Sequence, residues 1–448
     1  MKKLIFIFSF SFLVSSSVAQ NYEWRPIIPG INCDDSAYLS CRIRNFTVDT
    51  FQNILWVTGI FDGAGGIQSS NCVGFDGTNW VPFPGVMDSM RAVSINDAIL
   101  YNGDLIICRS TIVEIFSFTS HQWNTIGTAD GGVLCLGVYN GDLIAGGRFN
   151  LIDGNLAPLI ARWNGTQWFS LNDGLAGSTH SVNDVEVYNG KLYAGGAFDY
   201  ADSVEAWNIA VWDGNAWNGL CSSGGSYGTD RLDGNHSGAE ILDMEVFNNK
   251  LYITGQFELV CGSNCYLAYW DDTTWHGTSY AFGDGKRLVA CNGLLYIMHL
   301  GGPWINSFDG TNTITPVDST FDSGLNDIEC FQNTVYLSGA FDNSANTPTF
   351  RLSRLVDAGN GINEVGNESG VKIYPNPASE TVTVMLRQAQ HDIQEIVISN
   401  LLGEVVQSLK YKVQRPSVTI NISKLPRGIY LLRVQTNDGW QVGKVVKE

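Results

Sequence analysis

The sequence predicts an all-β protein: a seven-bladed β-propeller closed by its own N-terminal strand, followed by a small immunoglobulin-like β-sandwich. Three observations carry this. A repeat recurs seven times across residues 22–357. Each copy holds the turn signals of four short antiparallel strands. The last copy lacks a final strand, and the N-terminus holds a spare one.

The clearest copies read V-Y-N-G-D-L-I-A-G-G-R-F (Val138 to Phe149) followed by I-A-R-W-N-G-T-Q-W (Ile160 to Trp168), and V-Y-N-G-K-L-Y-A-G-G-A-F (Val187 to Phe198) followed by I-A-V-W-D-G-N-A-W (Ile209 to Trp217). Marking each copy by the residue before its first turn gives Phe51, Tyr101, Tyr139, Tyr188, Phe247, Cys291 and Phe331, in steps of 50, 38, 49, 59, 44 and 40 residues. Self-similarity at this period belongs to solenoids and propellers rather than to single-core globules.

Within a copy, a first strand ends at Asn-Gly (Asn102-Gly103, Asn140-Gly141, Asn189-Gly190, Asn292-Gly293), the pair that supplies positive φ at both centres of a two-residue hairpin. A second strand closes on Gly-x-Phe at Gly59, Gly147, Gly196, Gly255 and Gly339. A second hairpin turns at Asp76-Gly77, Asp213-Gly214 or Asp309-Gly310, and its last strand carries Trp80, Trp123, Trp168, Trp217 or Trp275. A recurrent aromatic on the last strand suits a wedge between blades. Copies two and six depart from the pattern, with Ile107-Cys108-Arg109 and Met298-His299-Leu300 at the Gly-Gly position and Thr313 replacing the tryptophan. Smaller or irregular blades are expected there.

The seventh copy runs through Leu352-Ser353-Arg354-Leu355, which aligns with Ile160-Ala161-Arg162-Trp163, and then has no tryptophan strand. Tyr22-Glu23-Trp24-Arg25-Pro26 resembles that missing strand, with Trp24 in the tryptophan slot. Residues 22–28 are therefore expected to complete the last blade, leaving no long exposed sheet edge. The domain plan is 1–19 signal peptide, 20–357 propeller, 358–370 polar linker and 371–448 sandwich.

The tail alternates short β-branched runs, such as Thr381 to Val384 and Val418 to Ile420, with prolines and glycines that stop ladders and allow tight turns. About seven short strands fit the 78 residues of 371–448, which suits an antiparallel sandwich. It opens with V-K-I-Y-P-N-P (Val371 to Pro377), continues through I-S-N-L-L-G-E-V-V (Ile398 to Val406) and N-I-S-K-L-P-R-G-I-Y-L-L-R-V (Asn421 to Val434), and ends on Lys447-Glu448. In that order and spacing the blocks resemble the type A C-terminal sorting domain of the Bacteroidetes type IX secretion system. Tyr374, Pro375, Asn376, Pro377, Gly403, Gly428 and Tyr430 are the motif residues. The resemblance implies a partner, the type IX secretion machinery, and a destination at the cell surface or outside the cell, by way of the periplasm and outer membrane. The repeat itself resembles the kelch-like or delta-60-like repeats of secreted Bacteroidetes propellers, which share a scaffold and no common chemistry.

The opposite end agrees with export. Met1-Lys2-Lys3 is basic, Leu4 to Val14 is apolar, and Ser17-Val18-Ala19 offers small residues for cleavage after Ala19. The apolar run is too short for a permanent membrane span, and no later segment is long enough, so no integral membrane segment is expected after cleavage. Charge divides the chain: residues 371–448 hold ten Lys+Arg against six Asp+Glu, net +4, which leaves 16 against 38, net −22, for residues 1–370. So acidic a body repels phosphates, and nucleic acid is not an expected partner.

Ten cysteines, all before residue 331, suit an oxidising compartment. Cys33 with Cys41 and Cys261 with Cys265 are near enough in sequence to bridge if their loops curl back. Cys108, Cys135, Cys291 and Cys330 fall in first or second strands of their copies and read as small buried core residues. Catalytic signatures are missing: there is no G-x-S-x-G, no H-E-x-x-H, no phosphate-cradling loop with its lysine and no paired zinc-ligand spacing. His121, His180, His236 and His276 fall in expected turns or loops, and no cofactor is identified.

One constellation stands out. Four residues before their markers lie Asp97, Asp184, Asp243 and Asp327, and two residues after the last three lie Glu186, Glu245 and Glu329 on the same strand face. Near a central channel these carboxylates can form an acidic ring suited to a divalent cation or a sugar, or can sit at strand starts in a structural role. Cys135 and Arg287 occupy the same position in copies three and six, which breaks a sevenfold ring. Two function classes follow. One is a secreted, non-catalytic binding or adhesion propeller that meets a glycan or protein through loops such as 222–238 and 262–266. The alternative is a polysaccharide-acting hydrolase or lyase using a carboxylate pair near the channel.

Overall fold

The computed structural model describes residues 22–27, 30–32, 42–177, 180–220, 239–257, 259–260, 263–264, 266–278, 283–300, 302, 304–311, 313–318, 321, 324–341, 343–344, 347–348, 351–357, 371–374, 378–386, 395–400, 405–410, 417–436 and 439–447. The expected signal peptide, residues 1–19, and linker, residues 358–370, lie outside the described residues. The chain separates into two compact units, Met1–Ala358 and Gly359–Glu448. Both are built of small antiparallel sheets, and the described helix is the short Ser89–Ser94, capped by Asp88. Among the described residues no helix is long and apolar enough to cross a membrane.

In the first unit the described strands include seven four-stranded sheets. Their leading strands are Arg42–Asp49, Ile95–Tyr101, Val133–Tyr139, Ser181–Tyr188, Glu240–Phe247, Gly285–Cys291 and Leu325–Phe331. The third sheet is representative: Val133–Tyr139, Asp142–Gly147, Ile160–Trp163 and Trp168–Ser170 pair in chain order. The first turn is a positive-φ hairpin, with φ of 51° at Asn140 and 86° at Gly141, as the Asn-Gly pair dictates. The second is an Asx turn: Asn164 Oδ1 accepts from the amides of Thr166 and Gln167, and Asp76, Asp213 and Asp271 do the same in their sheets. Turn chemistry accounts for these carboxylates without a cation.

In the second, third and fourth sheets an outer-strand tryptophan pins the sheet to what precedes it, whereas the indole nitrogens of Trp24 and Trp275 are buried without a hydrogen-bond partner among the described residues. The indoles of Trp123, Trp168 and Trp217 donate to the carbonyls of Val86, Ile126 and Leu171, at 2.9, 2.6 and 3.0 Å. Each ring is apolar in body and polar at one edge, so it fills the space between sheets and satisfies a carbonyl there. Tyrosines at the ends of leading strands point the other way. Tyr101 and Tyr188 donate to Gly141 O and Asn249 O in the first turn of the next sheet.

The seventh sheet takes its outer strand from the N-terminus. Tyr22–Pro26 pairs antiparallel with Leu352–Asp357, in the register Trp24↔Leu355. That register matches Trp168↔Trp163 and Trp217↔Trp212. Trp24 is buried and meets Phe321 edge-on at 5.7 Å. Residue 28, the far end of the expected closing segment, lies outside the described residues.

Three expectations need correction. Phe51 is 94% exposed in a four-residue turn, and Asp49 holds the strand-end position that Tyr101, Tyr139 and Tyr188 hold in the next three sheets, so the first leading strand ends two residues before Phe51. The irregularity of copies two and six is not in strand number, since both sheets have four strands. It lies in the link from second to third strand. That link carries a small hairpin in the first, third, fourth, fifth and seventh sheets, but is a two-residue turn at Ser110–Thr111 and a short loop over 300–304 in the other two. Finally, Cys291 and Cys330 are not separate core thiols: they form a disulfide between the leading strands of the sixth and seventh sheets, with Cα atoms 5.6 Å apart. Cys72, Cys108 and Cys135 are free and buried. Cys33, Cys41, Cys221, Cys261 and Cys265 lie outside the described residues.

The second unit holds two antiparallel sheets. One runs Val371–Tyr374, Thr381–Leu386, Ser417–Asn421; the other runs Val405–Lys410, Glu395–Asn400, Gly428–Thr436, Gly439–Lys447. They share one core, with Val382, Val384 and Ile420 facing Ile396, Ile398 and Leu432. Tyr430 lies in that core and donates to Pro426 O at 2.9 Å. Gly428 opens its strand and Tyr374 closes another, whereas Pro375, Asn376, Pro377 and Gly403 lie outside the described residues.

Candidate functional site: the bulges of the leading strands

Every leading strand carries a bulge near its start. The unpaired residues are Arg44, Asn96, Leu134, Asn183, Leu242, Lys286 and Asn326, and the residues after them are Asn45, Asp97, Cys135, Asp184, Asp243, Arg287 and Asp327. The four aspartates singled out by sequence thus share one structural position, with Cys135 and Arg287 at the same point. The first-sheet counterpart is Asn45, which the misplaced Phe51 marker hid.

A bulge re-aims side chains, and here it aims them at the next sheet. Asp97, Asp184, Asp243 and Asp327 accept from the backbone amides of Leu136, Met244, Leu288 and Phe46, at 2.8, 2.8, 2.6 and 2.7 Å. The last of these joins the seventh leading strand to the first. The preceding bulge residue completes the link. Asn96, Asn183 and Asn326 donate to the carbonyls of Val133, Ile241 and Ile43, and Lys286 donates to Leu325 O and Asn326 O. Each acceptor among Val133, Ile241, Ile43 and Leu325 lies just before the neighbouring bulge, where the sheet ladder leaves a backbone group open. The Asn-Asp dipeptide is therefore a two-pronged clamp between sheets. It stands at three of the seven bulges, at Asn96-Asp97, Asn183-Asp184 and Asn326-Asp327, yet sequence reasoning passed over the asparagines.

Arg287 balances the carboxylates. Its Nη1 lies 3.0 Å from Asp243 Oδ1 and its Nε 3.9 Å from Asp327 Oδ1. Burial alone would lower this guanidinium, but Asp243, Asp327, Asp97 and Asp184 together hold it above its ordinary value. Burial pushes all four aspartates up. Arg287 opposes the rise at Asp97, Asp243 and Asp327, and Asp243 reaches about 6. Asp184 rises well above the carboxylate range because burial is joined by the charges of Asp243 and Glu186. Burial also lifts Glu186 to about 7, and burial with the Asp327 charge lifts Glu329 to about 8. Glu245 is raised by burial and by Glu186, and its Oε1 accepts from Ala290 N at 3.3 Å.

Among the described residues no three His, Cys, Asp or Glu side chains converge as a metal site. His276 lies in the outer strand Trp275–Gly277 rather than in a loop, hydrogen-bonded with Asp271 Oδ2 at 2.7 Å. The contact loops expected at 222–238 and 262–266 fall outside the described residues apart from Ser263, Asn264 and Tyr266.

Comparison with known proteins divides as the chain does. No curated protein matches it significantly. Among solved structures the chain is similar to PorZ, an essential bacterial surface component of the type-IX secretion system of Porphyromonas gingivalis, with 13% identity and a TM-score of 0.35, over 91% of this chain and 66% of that one, just under two thirds. A chain of a mitotic checkpoint complex (11% identity, TM-score 0.48, 79% of this chain and 99% of that one) and the computationally designed Ika8 protein (10%, 0.42, 91% and 96%) are similarly distant. None of these bears on blade number or ligand. The tail is different: residues 372–448 match the family described as the secretion system C-terminal sorting domain. That domain engages the type IX secretion machinery, and the chain bearing it is exported through the outer membrane to the cell surface or beyond.

Proposed function

We propose that the seven sheets are the blades of one closed propeller, latched at its seam by the N-terminal strand, and that this body is exported as a non-catalytic binding or adhesion protein. In this reading a signal peptide over residues 1–19 takes the chain across the inner membrane, residues 358–370 link passenger to tail, and the kelch-like repeat supplies only the scaffold. The observation that carries the closed ring is the seam. Asn326 and Asp327 clamp Ile43 O and Phe46 N with the same pair of bonds that Asn96 and Asp97 make to Val133 O and Leu136 N. A scaffold role is supported by the aspartates themselves, since each bulge carboxylate already accepts a backbone amide. The ligand would then be a glycan or a protein met by loops at one face of the ring.

A hydrolase or lyase reading draws on Glu186 and Glu329, raised to about 7 and about 8, because a buried carboxyl that stays protonated at neutral pH is the state a general acid needs. Incubating the exported protein with a panel of polysaccharides, and following both retention and newly formed chain ends, separates the two. Retention without cleavage is expected. New chain ends that vanish in Glu186→Gln or Glu329→Gln would replace the binding reading with the enzyme.

A further inference from the structure

Four polar bulge residues, Asn96, Asn183, Lys286 and Asn326, bond the next leading strand, but Arg44 makes no such bond among the described residues. Its Nε is buried without a hydrogen-bond partner, and so is the Nε of Arg42 on the same strand. Buried polar groups are ordinarily paired, so two unsatisfied guanidinium nitrogens in a body of net charge −22 call for an acceptor. Burial and the nearby Arg42 charge hold Arg44 below its ordinary value, and Lys286 is lowered by burial and by Arg287, with Arg44 adding to this and Asp327 opposing it. The arrangement is continuous. Lys286 Nζ lies 3.1 Å from Leu325 O and 3.2 Å from Asn326 O, and Asn326 Nδ2 reaches Ile43 O, flanked by Arg42 and Arg44.

An independent feature lies in the sixth sheet, whose leading strand Gly285–Cys291 carries Lys286. The sixth sheet lacks the hairpin that five other sheets carry between second and third strands, and its short loop leaves Trp304 51% exposed. The ring is nonetheless held. His299 meets it edge-on at 6.4 Å, His299 N donates to Trp304 O at 3.1 Å, and a Cβ on Gly302 would come within 3.1 Å of the indole. Leu300 N donates to Asp284 O at 3.0 Å, which ties this loop to the chain two residues before Lys286. The start of a leading strand and the end of the second strand lie at the same end of a sheet, so Trp304 and the cations share one face.

We propose that Arg42, Arg44, Lys286 and Trp304 form a recognition site for an acidic sugar, with the indole stacking on the pyranose face and the cations receiving a carboxylate or sulfate group. The site deepens the binding reading above and rests on it. Arg42 and Arg44 are each only partly buried, so the accessible parts of their guanidinium groups can make charge-assisted bonds to an oxyanion, and a rigid exposed aromatic supplies apolar area at low entropic cost.

The test is calorimetric titration of the exported protein with oligogalacturonate, with a sulfated galactan oligosaccharide and with a neutral cello-oligosaccharide of equal length. One or both acidic probes should bind, their difference telling carboxylate from sulfate, and the neutral probe should not. Arg44→Gln and Trp304→Ala should each weaken binding about tenfold, the loss of one charge-assisted or stacking contact. Arg44→Lys should recover part of the loss, and Arg162→Gln, on an outlying ion pair with Asp142, should change nothing. Absence of binding to either acidic probe, equal binding of the neutral probe, or binding indifferent to both variants would overturn the site. Cleavage of a bound probe would instead overturn the non-catalytic reading while leaving this site in place.

Discussion

Replacing each bulge aspartate by alanine separates a clamp from a ligand ring, because the two roles give opposite signs. In Asp97→Ala the Leu136 amide, now 2.8 Å from its acceptor, is left buried and unpaired. The cost of such an orphan is about 1–3 kcal/mol. Asp243→Ala removes the acceptor of Leu288 N and also the 3.0 Å partner of Arg287, so it belongs at the top of that range, about 3 kcal/mol. Asp327→Ala strands Phe46 N at the seam but leaves Arg287 with Asp243, which places it near 2 kcal/mol, again an order-of-magnitude figure. Asp184→Ala loses the Met244 amide but relieves repulsion from Asp243 and Glu186, for a net loss of about 1 kcal/mol. Guanidinium unfolding of the purified exported protein measures all four through the midpoint at constant slope. Asparagine at each position keeps an oxygen acceptor and should recover a large part of the loss. Alanine variants as stable as the parent, or more stable, would refute the clamp, since a ring of mutually repelling carboxylates awaiting a cation gains stability when one is removed.

Other expected outcomes follow from the same contacts. Glu186, Asp243 and Glu329 have folded values near 7, 6 and 8, above the unfolded carboxylate range, so they hold protons in the folded state that the unfolded chain releases. Their contribution is complete below about pH 4 and is lost as pH rises through 6 to 8; the melting temperature should fall from pH 5 to pH 8, and Glu329→Gln should flatten that profile. Non-reducing peptide mapping should recover Cys291 joined to Cys330, and Cys291→Ser should cost up to about 4 kcal/mol, the chain-entropy value for a separation of 39 residues. Deleting 371–448 should leave a folded passenger in the periplasm, and grafting 357–448 onto a periplasmic reporter should carry it outside; surface display of the truncated chain would contradict the role of the tail.

Much of the scaffold was legible because it is local. Asn-Gly forces a positive-φ hairpin wherever it occurs, and the spacing from Trp163 to Trp168 or from Trp212 to Trp217 reports a fixed cross-strand register. Trp24 could be assigned to the last sheet because its slot there was vacant, and Trp24↔Leu355 follows the same register. What escaped was set by the relation between sheets. The Cys291–Cys330 bond joins strands whose proximity no single copy encodes, and Asp97 gives no sign by itself that its carboxylate accepts from the amide of Leu136, a sheet away. The asparagines were readable as a repeated Asn-Asp pair, but only the shared bulge explains why the pair matters. Phe51 misled because a longer turn displaced the aromatic from the strand end into solvent.

The central claim is a seven-bladed ring closed by the N-terminal strand, and an atomic-resolution crystal or cryo-EM structure of the exported protein tests it most directly. The account predicts seven four-stranded blades around one axis, with Tyr22–Pro26 outermost in the last blade and Asp327 bonded across the seam to Phe46. Six or eight blades, an open seam between the leading strands 325–331 and 42–49, or residues 22–26 paired anywhere other than against 352–357 would contradict it.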